Sequence, residues 1–194
     1  MSQTPLKVAV LGSTRGTAMQ GLLNAIREKS LDVELVLVLS DRENAGILER
    51  AQLHNVPSLW IPAKGVSREA WEAEATKALR AVGADLVLMI GFMRIVTPQF
   101  VNDWRGKLLN VHPSLLPLFA GGMNMDVHAA VLAAGVDETG CTIHHVTEEV
   151  DGGPIVLQMR CPVLPGDTPE TLKDRVQALE QQAFVEVLRH WSKR

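Results

Sequence analysis

The sequence alternates short apolar runs with segments in which apolar residues recur every three or four positions. Four apolar runs precede residue 95: 6–11, 33–39, 58–61 and 85–90. Three segments with helical spacing lie between them: 17–29, 45–54 and 68–82. Strands that are apolar on both faces and alternate with helices form a parallel sheet that is covered on both sides. We therefore predict an α/β fold with a Rossmann-like, open and mostly parallel sheet and helices on both faces.

The second half of the chain is less regular. Its predicted elements are a strand at 107–111, a loop at 112–124, a helix near 126–134, strands at 138–146 and 155–163, and a long helix at 169–191. The loop contains several proline and glycine residues, which interrupt regular structure. The sequence shows no internal repeat, linker or low-complexity tract, so we predict one domain over residues 1–194.

The composition limits the class of partner. The formal net charge is -3 and 46% of the residues are hydrophobic, which suits a packed core but gives no general attraction to nucleic acid or anionic membranes. No apolar run approaches the roughly 18 residues of a membrane span. Cys141 and Cys161 are the only cysteines, too far apart in sequence for a CxxC pair. We expect a cytoplasmic monomer or homodimer without a nucleic-acid partner, a membrane partner or a catalytic metal.

The loop after the first strand is the first candidate binding loop, because ligands of open α/β sheets bind at the carboxyl ends of strands. It reads Gly12-Ser13-Thr14-Arg15-Gly16-Thr17. Backbone N–H groups at a helix N-terminus, small hydroxyl side chains and an arginine suit a phosphate. The loop matches neither G-x-G-x-x-G nor G-x-x-x-x-G-K-[ST], so a dinucleotide or P-loop site has no specific support. An ordinary turn with a helix cap is the alternative.

The strand predicted at 107–111 leads into a possible reaction site. Alternation along the strand places Asn110 and His112 on one side, so an amide donor and an imidazole converge. Attack of a nucleophile on a carbonyl carbon needs a donor for the developing oxyanion and an acceptor for the proton of the nucleophile. Asp151, beside Gly152 and Gly153, is a candidate acceptor or a group that orients and charges His112. A structural histidine and a plain turn are the alternatives.

Other candidates have weaker support from the residues alone. The loop at 91–95 either covers a flat heterocycle or packs as core. His144 and His145 fall on opposite faces of one strand, which makes them poor joint metal ligands. Glu180, in the last helix, is expected to face solvent because acidic residues are mostly exposed.

Three segments together resemble the folate-dependent formyltransferase family. They are Gly91-Phe92-Met93-Arg94-Ile95, Leu109-Asn110-Val111-His112-Pro113-Ser114-Leu115-Leu116-Pro117 and Glu149-Val150-Asp151-Gly152-Gly153-Pro154-Ile155. The resemblance extends from the first strand to the last helix. It implies transfer of a formyl group from the co-substrate 10-formyltetrahydrofolate to a small phosphorylated amine, with glycinamide ribonucleotide as the preferred acceptor in purine biosynthesis.

The resemblance also implies roles for individual residues. Asn110 and His112 would stabilise the tetrahedral oxyanion, while Asp151 would set the protonation of His112 and assist proton transfer. The implied folate contacts are Met93, Arg94, Ile95, Val96, Thr147, Glu148, Glu149 and Val150. Gly16 and Thr17 match the phosphate loop of the family, and Glu180 matches a carboxylate that contacts the acceptor. With these, the predicted acceptor site comprises Ser13, Thr14, Arg15, Gly16, Thr17 and Glu180.

Two departures from the family pattern bear on the acceptor. An asparagine that is common in the phosphate loop of the family is Ala18 here, and Arg15 is a candidate replacement. The loop at 118–128 also differs from the family, so we assign no roles within it.

Several alternatives stay open. They are transfer to another small phosphorylated or sugar amine, hydrolysis of formyltetrahydrofolate, and a non-catalytic folate- or phosphate-binding module. A tRNA acceptor is disfavoured because only residues 192–194 follow the last helix and the net charge is negative. The hydrolase family carries an N-terminal regulatory domain that this sequence is not expected to contain. A nicotinamide oxidoreductase is disfavoured because the glycine fingerprint is missing and Asp41 is a weak ribose ligand.

Overall fold

The computed structural model describes residues 4–122 and 125–191. Its strands are β1 (Leu6–Leu11), β2 (Val33–Ser40), β3 (Ser58–Trp60), β4 (Leu86–Met89), β5 (Leu108–His112), β6 (Glu138–His145) and β7 (Ile155–Pro162). Its helices are α1 (Met19–Arg27), α2 (Gly46–Leu53), α3 (Arg68–Ala81), α4 (Pro98–Asp103), α5 (Met125–Ala134) and α6 (Pro169–Trp191). The strands form one sheet in the order β3-β2-β1-β4-β5-β6-β7.

The first five strands are parallel to one another, and β6 and β7 extend the sheet in antiparallel pairs. The predicted fold class is therefore confirmed as an open, mostly parallel α/β sheet. Alternation along β1 separates two cores: Val8 and Val10 pack with α1, α2 and α6, whereas Ala9 and Leu11 pack with α3 and α4. Since β1 lies between β2 and β4, the chain changes direction there, and a crevice forms at the carboxyl ends of β1 and β4.

The sequence analysis missed α4, the short helix that follows the loop at 91–97. Six residues are too few to show a periodic apolar pattern, but the start of the helix carries two recognisable signals. The hydroxyl of Thr97 accepts a hydrogen bond from the N–H of Phe100, and Pro98 occupies the first turn. The helix predicted at 17–29 is shorter than expected, because Thr17 belongs to the preceding loop and Lys29 has a φ of 57°.

The other predicted elements match the structure within a few residues at each end. Ser67 caps α3 as predicted, since its hydroxyl accepts a hydrogen bond from the N–H of Ala70 at 3.1 Å. Two residues of the predicted loop at 112–124, Met123 and Asn124, lie outside the described residues. Within the described ranges, every helix is too short or too polar to cross a membrane.

Candidate active site

A cavity of about 460 Å³ opens at the carboxyl ends of β1, β4 and β5. The segments that line it come from all three loops that the sequence singled out, together with the chain before β7 and two helices. They are residues 14–18, 89–96, 110–113, 121–122, 146–151, and single positions on α5 and α6. The cavity therefore brings together residues that are more than 150 positions apart in the sequence.

His112 and Asp151 meet on one wall of this cavity, where His112 is only 3% exposed. The Nδ1 atom of His112 lies 3.3 Å from Oδ2 of Asp151, and its Nε2 atom lies 2.9 Å from the carbonyl oxygen of Phe119. An ionised carboxylate and a carbonyl oxygen only accept hydrogen bonds. Each ring nitrogen of His112 therefore faces an acceptor, one from the side chain of Asp151 and one from the backbone.

The surroundings of Asp151 keep it ionised. Burial acts to raise the pKa of Asp151, but the contact with His144, the hydrogen bond from the N–H of Gly121 and the charge of His112 together hold it below its ordinary value. The Gly121 bond is 2.8 Å long and ends on the oxygen atom that faces His112. Asp151 has a φ of 55°, a left-handed conformation that aspartate tolerates better than most residues. Local hydrogen bonds thus aim this carboxylate into the cavity.

Asn110 joins the same group of side chains through a second histidine. The Nδ2 atom of Asn110 lies 3.2 Å from Nε2 of His144, whose Nδ1 atom lies 3.0 Å from the carbonyl oxygen of His145. The same Nε2 atom of His144 is 3.6 Å from Oδ1 of Asp151. His144 therefore stands between the amide and the carboxylate and is itself 2% exposed. Asn110 has a second amide hydrogen, which is available to a ligand in the cavity.

The loop at 91–97, which contains half of the predicted folate contacts, is held by α3. The rings of Trp71 and Phe92 stack with centroids 5.5 Å apart, and the guanidinium of Arg94 lies 5.2 Å from the centre of the Trp71 ring. Glu72, which is buried, accepts hydrogen bonds from both the N–H and the hydroxyl of Thr97. The loop was expected either to pack as core or to cover a ligand; in the structure Phe92 packs against Trp71, and residues 91–96 line the cavity.

All eight predicted folate contacts line the cavity: Met93, Arg94, Ile95, Val96, Thr147, Glu148, Glu149 and Val150. The two segments that carry them provide apolar side chains, among which Ile95 and Val150 are about half exposed. Glu148 forms an ion pair with Arg105, and the hydrogen bond from Arg105 lowers the pKa of Glu148. An exposed apolar surface beside a fixed carboxylate gives this side of the cavity both flat contacts and a polar edge.

On the opposite side, residues 14–18 present their backbone to the cavity. Their five N–H groups donate no hydrogen bond within the described ranges. Gly16 makes the tight loop possible, since it has a φ of 62° and a Cβ atom there would lie 2.3 Å from Cγ1 of Ile47. A run of free N–H groups at the start of α1 is a suitable site for an anion.

Ser13 is the one predicted acceptor residue that does not line the cavity. Its hydroxyl donates to Oδ1 of Asp41 at 2.6 Å and accepts from the N–H of Met93 at 2.9 Å, and the residue is 3% exposed. The predicted contact between Ser13 and the acceptor stays a prediction, and the structure gives it no support. The hydroxyl is occupied in tying the loop after β1 to the loop after β4.

Glu180 lines the cavity together with two other residues of α6, Lys173 and Gln177. The spacing of i, i+4 and i+7 places the three on one face of the helix. Burial raises the pKa of Glu180 to about 7, although the charge of Lys173 acts against the shift. The expectation that Glu180 faces solvent was wrong, because this face of α6 turns toward the loop at 14–18.

Known proteins share the sequence pattern and the fold of this chain. The family described as formyl transferase matches residues 6–188. The chain belongs to the formyl transferase family. It is 43% identical over 191 residues to the trifunctional purine biosynthetic protein adenosine-3 of Drosophila pseudoobscura pseudoobscura, a match that covers 97% of this chain and 14% of the fly protein.

Bacterial members of the family match over most of their length. The chain is 35% identical over 180 residues to phosphoribosylglycinamide formyltransferase of Escherichia coli (strain K12), which covers 92% of this chain and 84% of that protein. The crystal structure of glycinamide ribonucleotide transformylase 1 from Symbiobacterium toebii superposes with a TM-score of 0.93 and 38% identity, covering 99% of this chain and 90% of that one. By contrast, the chain spans only 14% of the length of the trifunctional fly protein.

In this member of the formyl transferase family, the residues that line the cavity without having been predicted as site residues include four with polar side chains: His128, His144, Lys173 and Gln177. His144 could have been found from strand alternation, because it pairs directly with Asn110 across β5 and β6. The other three lie on helices whose orientation toward the cavity depends on packing that the sequence pattern does not specify.

Proposed function

We propose that this chain transfers the formyl group of 10-formyltetrahydrofolate to the amine of glycinamide ribonucleotide. The observation that carries the proposal is the meeting of Asn110, His112 and Asp151 at one point of a cavity. An amide donor and an imidazole beside a buried carboxylate suit the charges that develop when an amine attacks a formyl carbonyl.

The donor side of the site is formed by residues 93–96 and 147–150. Apolar side chains on these two segments suit the faces of the flat pterin ring of the folate, and their backbone groups suit its polar edge. Both segments line the same cavity as Asn110, His112 and Asp151. A folate bound between them would therefore place its formyl group near these three side chains.

The acceptor side is formed by residues 14–18 and by the face of α6 that carries Glu180. The free N–H groups would bind the phosphate of the acceptor, with Thr14, Arg15, Gly16 and Thr17 as its predicted contacts. Glu180 would then contact a hydroxyl group of the ribose. This placement directs the amine of the acceptor toward Asn110 and His112.

Transfer then proceeds by direct attack. The amine nitrogen forms a bond to the formyl carbon, and the carbonyl electrons move to oxygen to give a tetrahedral oxyanion. Asn110 donates a hydrogen bond to that oxygen, and the charge of His112 stabilises it. The attacking nitrogen releases a proton, which Asp151 helps to pass to the folate nitrogen as its bond to the formyl carbon breaks. The products are the formylated acceptor and tetrahydrofolate.

The test mixes purified protein with 10-formyltetrahydrofolate and glycinamide ribonucleotide and follows tetrahydrofolate and the formylated product together. A control omits the acceptor. We expect product formation that depends on the acceptor and equals tetrahydrofolate release. Release of formate without acceptor would point to a hydrolase instead, and the absence of either product would contradict the proposal.

Every residue in this proposal belongs to one chain. We propose that a monomer is sufficient for activity, even if a homodimer forms, which sedimentation under assay conditions would test. Cys141 and Cys161 are buried as free thiols. Free thiols are typical of a reducing compartment, which supports the cytoplasm as the place of the reaction.

A further inference from the structure

Lys173 and His128 form a cluster in the cavity that the proposed transfer reaction does not use. Val127 of α5 packs against Leu172 of α6 in a small apolar core. The next residue on each helix, His128 and Lys173, lines the cavity. This packing fixes an imidazole and an ammonium group next to each other on the acceptor side of the cavity.

His128 has a buried nitrogen atom without a partner. The residue is 1% exposed, and its Nδ1 atom makes no hydrogen bond to the described residues. Burial, the charge of Lys173 and the charge of His112 lower the pKa of His128 to about 4. A buried polar atom without a partner is rare in proteins and often marks the place of a ligand or a bound water molecule.

Lys173 also lacks a close counter-ion. Among the described residues, no carboxylate oxygen lies within ion-pair distance of its amino group. Glu180 lies on the same face of α6, but because its pKa is raised to about 7 it carries only part of a negative charge at neutral pH. The ammonium group of Lys173 therefore faces the cavity without a described carboxylate at ion-pair distance, and an anion bound there would interact favourably with it.

Helix packing places this cluster on the same side as the free N–H groups. A Cβ atom on Gly21 of α1 would lie 2.4 Å from the carbonyl oxygen of Gln181, so α1 and α6 are in close contact. One turn before that contact, Thr17 and Gln177 both line the cavity, and Lys173 lies one further turn along α6. Its long side chain is suited to reach an anion that residues 14–18 hold.

We propose that Lys173 and His128 bind the phosphate group of the acceptor from the side opposite residues 14–18. The inference rests on the proposed function and adds two side-chain contacts to a phosphate site where Ala18 cannot provide one. A phosphate monoester is the ligand class that fits best, because it carries between one and two negative charges at neutral pH and several acceptor oxygens. One oxygen receives a charged hydrogen bond from Lys173, and another receives one from the imidazole of His128.

The first experiment measures binding of inorganic phosphate to the purified protein, without folate or amine. The ring signals of His128 are followed by NMR and assigned with the His128→Gln variant. We expect phosphate to shift these signals, and Lys173→Gln to weaken phosphate binding by about 10-fold, the scale of one charge-assisted hydrogen bond. The matched control is Lys77→Gln, since Lys77 is an exposed lysine of α3 far from the cavity. Unchanged phosphate affinity in Lys173→Gln would overturn the inference.

The second experiment separates this inference from the proposed function. In the transfer assay, Lys173→Gln should raise the KM for the acceptor by about 10-fold or more, while kcat and the KM for folate stay within about twofold. Phosphate binding that depends on Lys173 in a protein without transfer activity would keep the subsite and contradict the function. Transfer with an unchanged acceptor KM in Lys173→Gln would keep the function and contradict the subsite.

Discussion

The two sides of the cavity differ in how far their polar groups are already hydrogen-bonded. On the catalytic side, Asn110, His112, His144 and Asp151 contact one another or nearby carbonyl and N–H groups. On the acceptor side, the N–H groups of residues 14–18 and the Nδ1 atom of His128 make no hydrogen bonds within the described ranges.

This difference has a physical reason. Groups that stabilise a transition state are most effective when the protein already holds them in place, because no reorganisation is needed during the reaction. Groups that hold a charged part of the substrate must offer free donors, since each internal bond would have to break first. Substitutions on the catalytic side should therefore lower kcat, whereas those on the acceptor side should raise the KM for the acceptor.

The largest effect is expected for Asp151→Asn. The asparagine side chain is neutral, so the negative charge beside His112 and the proton acceptor are both lost. We expect kcat to fall by about 10³-fold, within the range for loss of a proton-transfer group. The measurement is tetrahydrofolate release, with folate binding followed by fluorescence. Asp103→Asn, at a surface ion pair with Arg80, is the matched control. Activity close to that of the wild type would remove Asp151 from the mechanism.

A somewhat smaller effect is expected for Asn110→Ala. Loss of a donor to the oxyanion should lower kcat by roughly 10²- to 10³-fold and leave the KM for both substrates nearly unchanged. Steady-state kinetics give the two constants, and circular dichroism shows whether the variant is folded. Asn102→Ala, an exposed position on α4, is the control. If the variant raised the KM for the acceptor and kept kcat, Asn110 would bind the acceptor and would not stabilise the transition state.

The free energy of unfolding of the protein should depend on pH through Glu180, which lies on the acceptor side of the cavity. Because its pKa is raised from 4.5 to about 7 by burial, the folded state favours the neutral acid, and this contribution to stability is lost as the pH rises through that range. The Glu180→Gln variant cannot ionise at this position. Between about pH 4 and about pH 8, its free energy of unfolding should therefore decrease less than that of the wild type, with a difference on the order of 2 kcal/mol. Urea unfolding at both pH values measures the difference. If the free energy of unfolding decreased equally in the two proteins, folding would not raise the pKa of Glu180.

The smallest effect is a change in the titration of His128. Since the charge of Lys173 is one cause of its low pKa of about 4, Lys173→Gln should raise that pKa toward the ordinary value of 6.5 without reaching it. Burial, the larger cause, is unchanged. NMR titration of the His128 ring measures the shift. A pKa that does not move would mean that the two side chains are not close enough to interact.

The sequence predicted most of the fold because β1, β2 and β4 are apolar on both faces, and such strands fit only a sheet covered on both sides. It did not predict α4, which is too short to show a period. Strand alternation was enough to place Asn110 and His112 together. The contact between Asp151 and His112 joins positions far apart in sequence, so spacing along the chain left it as one alternative, and the resemblance to a known family favoured it.

The residues that the sequence did not predict share a feature. His128, Lys173 and Gln177 are polar residues on helices, and polar residues on helices are usually exposed to solvent. Whether such a residue faces solvent or a cavity depends on how α5, α6 and α1 pack, which spacing along one helix does not determine. The occupied hydroxyl of Ser13 likewise depends on Asp41 and Met93, each on a different loop.

The link through Ser13 suggests where this scaffold can be redesigned. Its N–H donates to the carbonyl oxygen of Gly91 at 3.0 Å, and its hydroxyl accepts from the N–H of Met93, so the loops on the two sides of the cavity are joined. Ser13 directly precedes residues 14–18. Changes within 14–18 that were made to admit a new acceptor would therefore also disturb the loop at 91–97. Lys173 and Gln177 have no such link within the described ranges. A library limited to these two positions should therefore alter acceptor choice while the donor is retained.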